Sequence, residues 1–251
     1  MIQDLKGKVA VITGASKGIG EAIARFYARG GAEVVINSRK QEDLDLVADS
    51  IREFGGKVLT VAGNVSKPED AQNLIETTIK EYGGIDILVN NAVANPYYGP
   101  IVGCDSVAFD KTMEVNLKAP FELSKLAYQS MKARGGGSII NISSVEGISP
   151  HDGMGIYSVS KASLNMLTKA CAREWGADNI RVNSICPGLI KTKFSKALWS
   201  NEQWTKHFIG QLPLKRVGTV EEIASLAYFL ASDSSGYVTG AIYTADGGLT
   251  L

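Results

Sequence analysis

Two tyrosine–lysine pairs in the chain have a spacing that suits proton transfer. Tyr157 and Lys161 stand four positions apart near the start of a predicted helix over 156–175, so both side chains emerge on one helix face. An ammonium group beside a phenol favours phenolate, and we expect Lys161 to lower the phenol pKa from its ordinary value of about 10. Tyr157 would then be able to donate a proton to a reacting oxygen and to accept one in the reverse direction.

Context separates this pair from a second pair with the same spacing, Tyr128 and Lys132. Ser143 and Ser144 lie upstream of Tyr157 at the end of a predicted strand, and nothing comparable precedes Tyr128. Open α/β sheets bind ligands at the carboxyl ends of their strands. We therefore interpret the first pair as catalytic and the second as an exposed helical pair.

A glycine-rich loop follows the first predicted strand and opens a helix. It reads Thr13-Gly14-Ala15-Ser16-Lys17-Gly18-Ile19-Gly20. Glycines there permit a tight turn and let the backbone approach a pyrophosphate, while N–H groups of the helix N-terminus point at its charge. The position of the loop at the start of a strand–helix–strand unit predicts dinucleotide binding.

The glycine spacing, Thr-Gly-x3-Gly-x-Gly, together with the Tyr-x3-Lys pair resembles the short-chain dehydrogenase/reductase family. The family places its catalytic serine thirteen residues before the tyrosine, which selects Ser144 over Ser143. Its fourth catalytic residue, an asparagine in a Val-Asn-Leu context, matches Asn116. The resemblance implies that Ser144 hydrogen-bonds the substrate oxygen, and that Lys161 reaches the nicotinamide ribose. It also implies that Asn116 holds a water that connects Lys161 to solvent.

The same resemblance implies contacts around the cofactor. Asn90-Asn91-Ala92 is similar to the Asn-Asn-Ala-Gly element of the family, with Val93 in place of the glycine. Asn64-Val65 is similar to the Asp-Val pair beside the adenine, with Asn64 in place of the aspartate. We expect the amide oxygen of Asn64 to accept a hydrogen bond from the adenine amino group.

Pro187-Gly188 after the sixth predicted strand, followed by Thr192, stands where the family seats the nicotinamide carboxamide. The resemblance therefore extends over the chain from about Lys6 to Gly248. The predicted cofactor-binding residues are Gly14, Ser16, Lys17, Gly18, Ile19, Gly20, Ser38, Arg39, Asn64, Val65, Asn91, Ala92, Tyr157, Lys161, Pro187, Gly188, Ile190 and Thr192.

The end of the second predicted strand predicts which cofactor is used. It reads Asn37-Ser38-Arg39, with no acidic residue before Glu42. Enzymes that use NAD usually present a carboxylate to the ribose diol at this place, where it would repel a 2′-phosphate. Arg39 can instead bind that phosphate through two N–H groups, and Lys17 adds a second positive charge. This combination predicts a preference for NADP(H) over NAD(H).

These residues require a scaffold that gathers several strand ends at one edge. Short apolar runs rich in β-branched residues predict strands over 8–13, 33–37, 57–62, 85–89, 138–142, 180–185 and 241–244. Amphipathic segments separate them, which predicts a seven-stranded, doubly wound parallel sheet of the Rossmann type, in the α/β class. No linker, charge block or repeat divides the chain, so we expect one catalytic domain over 1–251.

The least regular region is 191–214, where large apolar residues lie among polar ones. A mobile helical flap over a substrate pocket is one interpretation, and a surface-packed insertion is the other. The apolar residues concerned are Phe194, Leu198, Trp199, Trp204 and Phe208.

Composition limits the remaining classes of function. The chain is 45% hydrophobic and 21% charged, with 26 basic and 26 acidic residues, which disfavours partners such as nucleic acid or an anionic membrane. Its three cysteines and two histidines lack metal-ligand spacing, so we expect no metal site. The N-terminus lacks the apolar run of a signal peptide and no segment approaches a membrane span, which predicts a cytoplasmic protein.

Several substrates remain open at this stage. The segment 91–101 and the segment 188–192 are similar to the NADP-dependent carbonyl and retinal reductases of the family more than to its sugar dehydrogenases, which favours an apolar or aromatic ketone. The alternatives are a 3-oxoacyl-thioester reductase, a polyol or sugar dehydrogenase, and an idle NADP-binding module. An intact catalytic set argues against the last. The resemblance also implies a homotetramer, supported by apolar stripes on the helices over 109–131 and 157–171.

Overall fold

The computed structural model describes residues 4–192 and 202–251, in which strands alternate with helices. The strands β1 to β7 are Val9–Thr13, Glu33–Ser38, Lys57–Ala62, Ile87–Asn90, Gly137–Ile142, Ile180–Pro187 and Ile242–Ala245. The helices α1 to α8 of the described residues are Gly18–Arg29, Gln41–Arg52, Pro68–Tyr82, Ser106–Met113, Ala119–Ala133, Gly155–Trp175, Glu202–Gln211 and Val220–Ala231. Phe194, Leu198, Trp199 and the side chain of Trp204, all in the predicted flap, lie outside the described residues.

All seven strands form one parallel sheet in the order β3-β2-β1-β4-β5-β6-β7. The prediction of a seven-stranded, doubly wound parallel sheet is confirmed. The strand order reverses between β1 and β4, and a crevice opens at such a point outside the carboxyl ends of the strands. The glycine loop leaves β1 there, and the Asn90-Asn91-Ala92 element leaves β4.

Two apolar layers cover the sheet, because a parallel sheet buries both of its faces. Alternate residues of β1 serve different layers: Ile12 packs with α1, α2 and α8, while Val11 packs with α3, α5 and α6. Both side chains are fully buried, and each contributes about 1.5–3 kcal/mol relative to an exposed position. The scaffold beneath the strand ends is therefore tightly packed.

An ion pair fastens the amino edge of the sheet, opposite the predicted site. Asp86 accepts a hydrogen bond from the backbone N–H of Val9 at 2.7 Å, and Arg134 grips its two carboxylate oxygens with 2.9 Å contacts. These bonds join β1, the start of β4 and the end of α5.

The second tyrosine–lysine pair, Tyr128 and Lys132, binds a carboxylate from another part of the fold. The Tyr128 hydroxyl donates to the carboxylate of Asp178, and the ammonium of Lys132 lies 2.9 Å from the same group. The hydrogen bond to Asp178 raises the pKa of Tyr128 above its ordinary value. The two residues thus connect α5 to the turn after α6, which the expectation of a simple exposed pair did not include.

The described end of the predicted flap packs near β7. Helix α7 ends at Gln211, and the backbone N–H of Leu214 donates to the carbonyl of Gly247 at 3.1 Å. A Cβ on Gly248 would lie 2.5 Å from the ring of Pro213, so this packing requires glycine. Among the described residues, no helix is long and apolar enough to cross a membrane.

Candidate active site

The glycine loop between β1 and α1 needs its glycines for two different reasons. Gly14 and Gly18 both adopt φ +63°, a left-handed conformation that costs other residues free energy. Gly20 has no such backbone, but a Cβ there would lie 2.5 Å from the carbonyl oxygen of Gly14 and 2.5 Å from Nδ2 of Asn91. The loop can fold back on β4 only without these side-chain atoms.

The side chain of Asn91 holds the glycine loop through hydrogen bonds to backbone carbonyls. Its Nδ2 donates to the carbonyl of Thr13 at 2.9 Å and to that of Gly14 at 3.1 Å. Thr13 completes the connection, because its hydroxyl accepts from the backbone N–H groups of Asn91 and Ala92 at 3.0 and 3.1 Å. The role of Thr13 was missed from the sequence, although its place directly before the first glycine was a usable signal.

The N-terminus of α1 fits a pyrophosphate. Lys17, the residue before the helix, is extended and its side chain does not cap the first-turn N–H groups. Such N–H groups bind anions, and the helix dipole adds to the attraction. The residues present therefore fit the phosphates of a dinucleotide.

Two serine hydroxyls join the glycine loop to the end of β2. The Ser38 hydroxyl at the end of β2 donates to the hydroxyl of Ser16 at 3.0 Å. Lys17 and Arg39, their sequence neighbours, are both exposed. Asn37, which precedes Ser38, is buried and donates to the carbonyl of Val61 at 2.9 Å. The structure thus joins Ser16 to Ser38, and Lys17 and Arg39 are their neighbours in the sequence.

The residues predicted beside the adenine follow β3. Val65 is buried. The Asn64 amide oxygen accepts from the backbone N–H of Ser66 at 3.2 Å and from its hydroxyl at 2.9 Å. Both of these bonds lie within the chain, and the bond from an adenine amino group stays a prediction. The sequence pattern missed this local turn.

The residues predicted for the nicotinamide side follow β6. The backbone N–H of Gly188 donates to the carbonyl of Ala245 at 3.0 Å, and a Cβ on Gly188 would lie 2.8 Å from Asp246. Ile190 forms a parallel bridge with Gly218. A Cβ on Gly18 would lie 3.5 Å from the methyl group of Thr192, so this segment approaches the glycine loop.

Tyr157 and Lys161 lie on the first turns of α6 and are both buried. The Lys161 ammonium is 5.6 Å from the centre of the Tyr157 ring and donates to the carbonyl of Ile142, the last residue of β5, at 2.8 Å. Ser143 donates to the carbonyl of Lys161 at 3.1 Å and so helps to hold the helix against β5. This positioning contact was not expected from the sequence.

Burial dominates the titration of the pair. Burial raises the pKa of Tyr157 above its ordinary value, while the nearby Ser144 hydroxyl acts in the opposite direction. Burial also lowers the pKa of Lys161 from 10.5 to about 8. The expectation that Lys161 lowers the pKa of Tyr157 below its ordinary value is not met in this structure, because desolvation of the buried phenolate is the largest cause and raises that pKa.

The Ser144 hydroxyl caps a turn and also lies beside Tyr157. The hydroxyl oxygen accepts from the backbone N–H of Glu146 at 3.1 Å, where it caps the short turn Val145–Gly147. Because the oxygen is already an acceptor, the hydroxyl proton remains for another partner. An alkoxide-like oxygen beside Tyr157 would be such a partner.

Asn116 lies in a π-helical turn, Glu114–Lys118, between α4 and α5. Pro120 stands four residues later and has no N–H to close an α-helical bond with the Asn116 carbonyl, which favours the wider turn. The Asn116 side chain bonds both backbone groups of Ala94 at 2.8 and 2.9 Å, and it donates to Ser160 at 3.0 Å. Asn116 therefore joins the loop after β4 to α6.

Comparison with known proteins agrees with this arrangement. A family model described as enoyl-(acyl carrier protein) reductase matches residues 14–250. The chain belongs to the short-chain dehydrogenase/reductase family. It is therefore an NAD(P)-dependent dehydrogenase that acts on CH–OH groups.

Individual relatives cover nearly the whole chain. Dehydrogenase/reductase SDR family member 4 of Oryctolagus cuniculus is 42% identical, over 97% of this chain and 94% of the relative. A gluconate 5-dehydrogenase from Burkholderia cenocepacia, solved with NADP and tartrate, has a TM-score of 0.94 at 33% identity, covering 99% and 97% of the two chains. A 7α-hydroxysteroid dehydrogenase solved with NADH and 7-oxo glycochenodeoxycholic acid also has a TM-score of 0.94 at 33% identity, covering 98% and 95%.

Proposed function

We propose that the chain is an NADP(H)-dependent oxidoreductase that interconverts an apolar or aromatic ketone and its secondary alcohol. The carrying observation is the burial of Tyr157 and Lys161 together beside Ser144 at the carboxyl edge of the sheet. We treat residues 1–251 as one catalytic domain.

The proposed reaction divides roles among the chain's own residues. When bound, the nicotinamide supplies or accepts the hydride. The Ser144 hydroxyl binds the reacting oxygen, and Tyr157 gives its proton to that oxygen in reduction or accepts one in oxidation. Lys161, held by the Ile142 carbonyl, presents its ammonium to the phenol ring. Burial of the phenol excludes water from the transfer.

The preference for NADP(H) rests on local charge. The similar structures carry NADP in one case and NADH in another, so the fold alone does not choose. Here the Ser16–Ser38 hydroxyl pair lies beside exposed Lys17 and Arg39, and no acidic residue follows β2 before the exposed Glu42. A 2′-phosphate would gain two cations there and meet no adjacent carboxylate.

The apolar substrate class is supported by the two loops near Ser144. Tyr98 is 65% exposed and Ile101 is 60% exposed, although both are large. A Cβ on Gly153 would lie 3.0 Å from the Tyr98 ring, and one on Gly155 would lie 3.2 Å from Ile101, so glycines permit this packing. These side chains offer a largely apolar surface to a ketone, to which Tyr98 adds one hydroxyl.

The test is a panel of candidate substrates, and turnover of each is measured by the oxidation of the cofactor. It contains aromatic and alicyclic ketones, keto-sugars and keto-acids, and an acetoacetyl thioester, each with NADPH and with NADH. We expect turnover of the apolar ketones with NADPH. Turnover confined to the keto-sugars or the thioester would reject the substrate class, and NADPH binding without any turnover would favour the idle module.

We also propose a homotetramer that acts in the cytoplasm. An apolar groove crosses α4, the π-helical turn, α5 and α6, lined by residues that include Val107, Leu117, Phe121 and Leu167. Val107 is 78% exposed, and a second chain would cover it. The free cysteines suit a reducing compartment. Sedimentation at micromolar concentration should give the tetramer mass, and a monomer mass would reject the assembly.

A further inference from the structure

Glu146 is a carboxylate in an unusual place. It lies on the loop between β5 and α6, two residues after Ser144, and its side chain is only 11% exposed. A carboxylate so enclosed costs free energy unless donors satisfy its oxygens. Among the described residues, no Lys or Arg side chain donates a hydrogen bond to the Glu146 carboxylate. The donors are the backbone N–H of His151 at 3.0 Å, its Nδ1 at 2.6 Å and the hydroxyl of Ser158 at 2.8 Å.

These contacts connect the two candidate catalytic residues. The backbone N–H of Glu146 donates to the Ser144 hydroxyl oxygen at 3.1 Å and so orients that hydroxyl. The carboxylate holds Ser158, the residue directly after Tyr157 on α6, and it also holds His151 farther along the loop. One residue thus fastens the loop of Ser144 to the helix turn of Tyr157.

The charge of Glu146 also acts on the phenol. Titratable groups from three elements face Tyr157: Lys161 from its own helix, Cys186 from β6 and Glu146 from the loop. Glu146 is itself faced by the titratable imidazole of His151 at 2.6 Å. After burial, the negative charge of Glu146 is one of the causes that raise the pKa of Tyr157. Removing that charge would make the phenolate easier to form.

We propose that Glu146 is a positioning residue that holds Ser144 against Tyr157 and places one negative charge beside the proton-transfer site. The proposal rests on the proposed function, because it assumes that Tyr157 transfers the proton. The charge then adds to burial in favouring the protonated form of Tyr157. The loop bonds keep the serine hydroxyl directed at the reacting oxygen.

Three variants separate the charge from the position. Glu146→Gln removes the charge and leaves one oxygen acceptor, while Glu146→Asp keeps the charge on a shorter side chain. Glu33→Gln is the matched control, because Glu33 is 23% exposed and pairs with Lys57 at the opposite edge of the sheet. The readout is the pH profile of kcat/KM for alcohol oxidation, with kcat for ketone reduction measured alongside.

In Glu146→Gln we expect the acid limb of alcohol oxidation to move to lower pH. We also expect kcat for reduction to fall about ten-fold, because the serine is misplaced. In Glu146→Asp we expect a lower kcat with the acid limb unmoved. Glu33→Gln should match the wild type in the acid limb of alcohol oxidation and in kcat for ketone reduction. An unmoved acid limb in Glu146→Gln would overturn the proposal, since a loss of rate alone fits a merely structural loop.

Amide hydrogen exchange tests the loop bonds without any turnover. We expect the His151 amide to exchange at least ten-fold faster in Glu146→Ala, which removes both acceptor oxygens, than in the wild type or in Glu33→Gln. Equal exchange in the three proteins would overturn the proposal. A wild type without activity on the panel would instead reject the proposed function, and the exchange result would still decide whether Glu146 holds the loop.

Discussion

Lys161 lowers the stability of the folded chain because its ammonium is buried. The side chain is 2% exposed, and burial lowers its pKa from 10.5 to about 8. This difference corresponds to roughly 3 kcal/mol at pH 7, since one pKa unit is worth about 1.4 kcal/mol. Lys161→Met keeps a similar aliphatic length and removes the charge, so it should recover part of this free energy of unfolding.

The sign of the effect depends on pH. The folded state binds the Lys161 proton more weakly than the unfolded state, so the penalty is complete below a pH of about 8 and disappears as pH rises toward 10.5. Between pH 7 and pH 9.5 the wild type should therefore gain about 2 kcal/mol relative to Lys161→Met.

Urea unfolding of both proteins at the two pH values measures this gain. The variant also leaves the Ile142 carbonyl without its 2.8 Å hydrogen bond, at a cost of about 1–3 kcal/mol that does not depend on pH. Comparison between the pH values removes that cost. Lys169→Met, at an exposed position on the same helix, is the control. The same stability difference between Lys161→Met and the wild type at both pH values would refute the argument from burial.

The remaining predictions concern proton transfer and cofactor choice. Tyr157→Phe should lower kcat for ketone reduction by at least about 10²-fold and leave the affinity for NADPH unchanged. Tyr128→Phe should lower only the stability of the fold, because it loses the hydrogen bond to Asp178. Equal kinetic losses in the two variants would mean that the wrong pair was chosen. Arg39→Ala should lower kcat/KM for NADPH by about ten-fold and leave NADH unaffected, because one exposed charge-assisted contact is lost. Ser38→Asp should move the preference toward NADH, and a wild type that already prefers NADH would reject the assignment.

Much of the fold could be predicted from the sequence. Apolar β-branched runs such as Val9–Thr13 predicted all seven strands, and the structure confirms their parallel arrangement. The glycine spacing predicted a loop whose glycines are required by backbone conformation and by close packing. These features are local, since each follows from a few neighbouring residues.

The site could be predicted only in part. The residues expected at the strand ends do gather there, but the Asn64 amide oxygen is used by Ser66, and Asn91 supports Gly14 from below. Neither contact follows from the motif that identified the residue. A motif specifies residue types and spacing, while hydrogen-bond partners depend on how loops from different strands meet.

The sequence by itself determined which residues are present at the strand ends and in what order they occur, because hydrophobic periodicity and turn chemistry act over short stretches. Only the tertiary structure decided their electrostatics. The pKa of Tyr157 rises because segments far apart in the chain exclude water from it. Glu146 became significant for the same reason, since its contacts with Ser144 and Ser158 form only when the loop after β5 folds against α6.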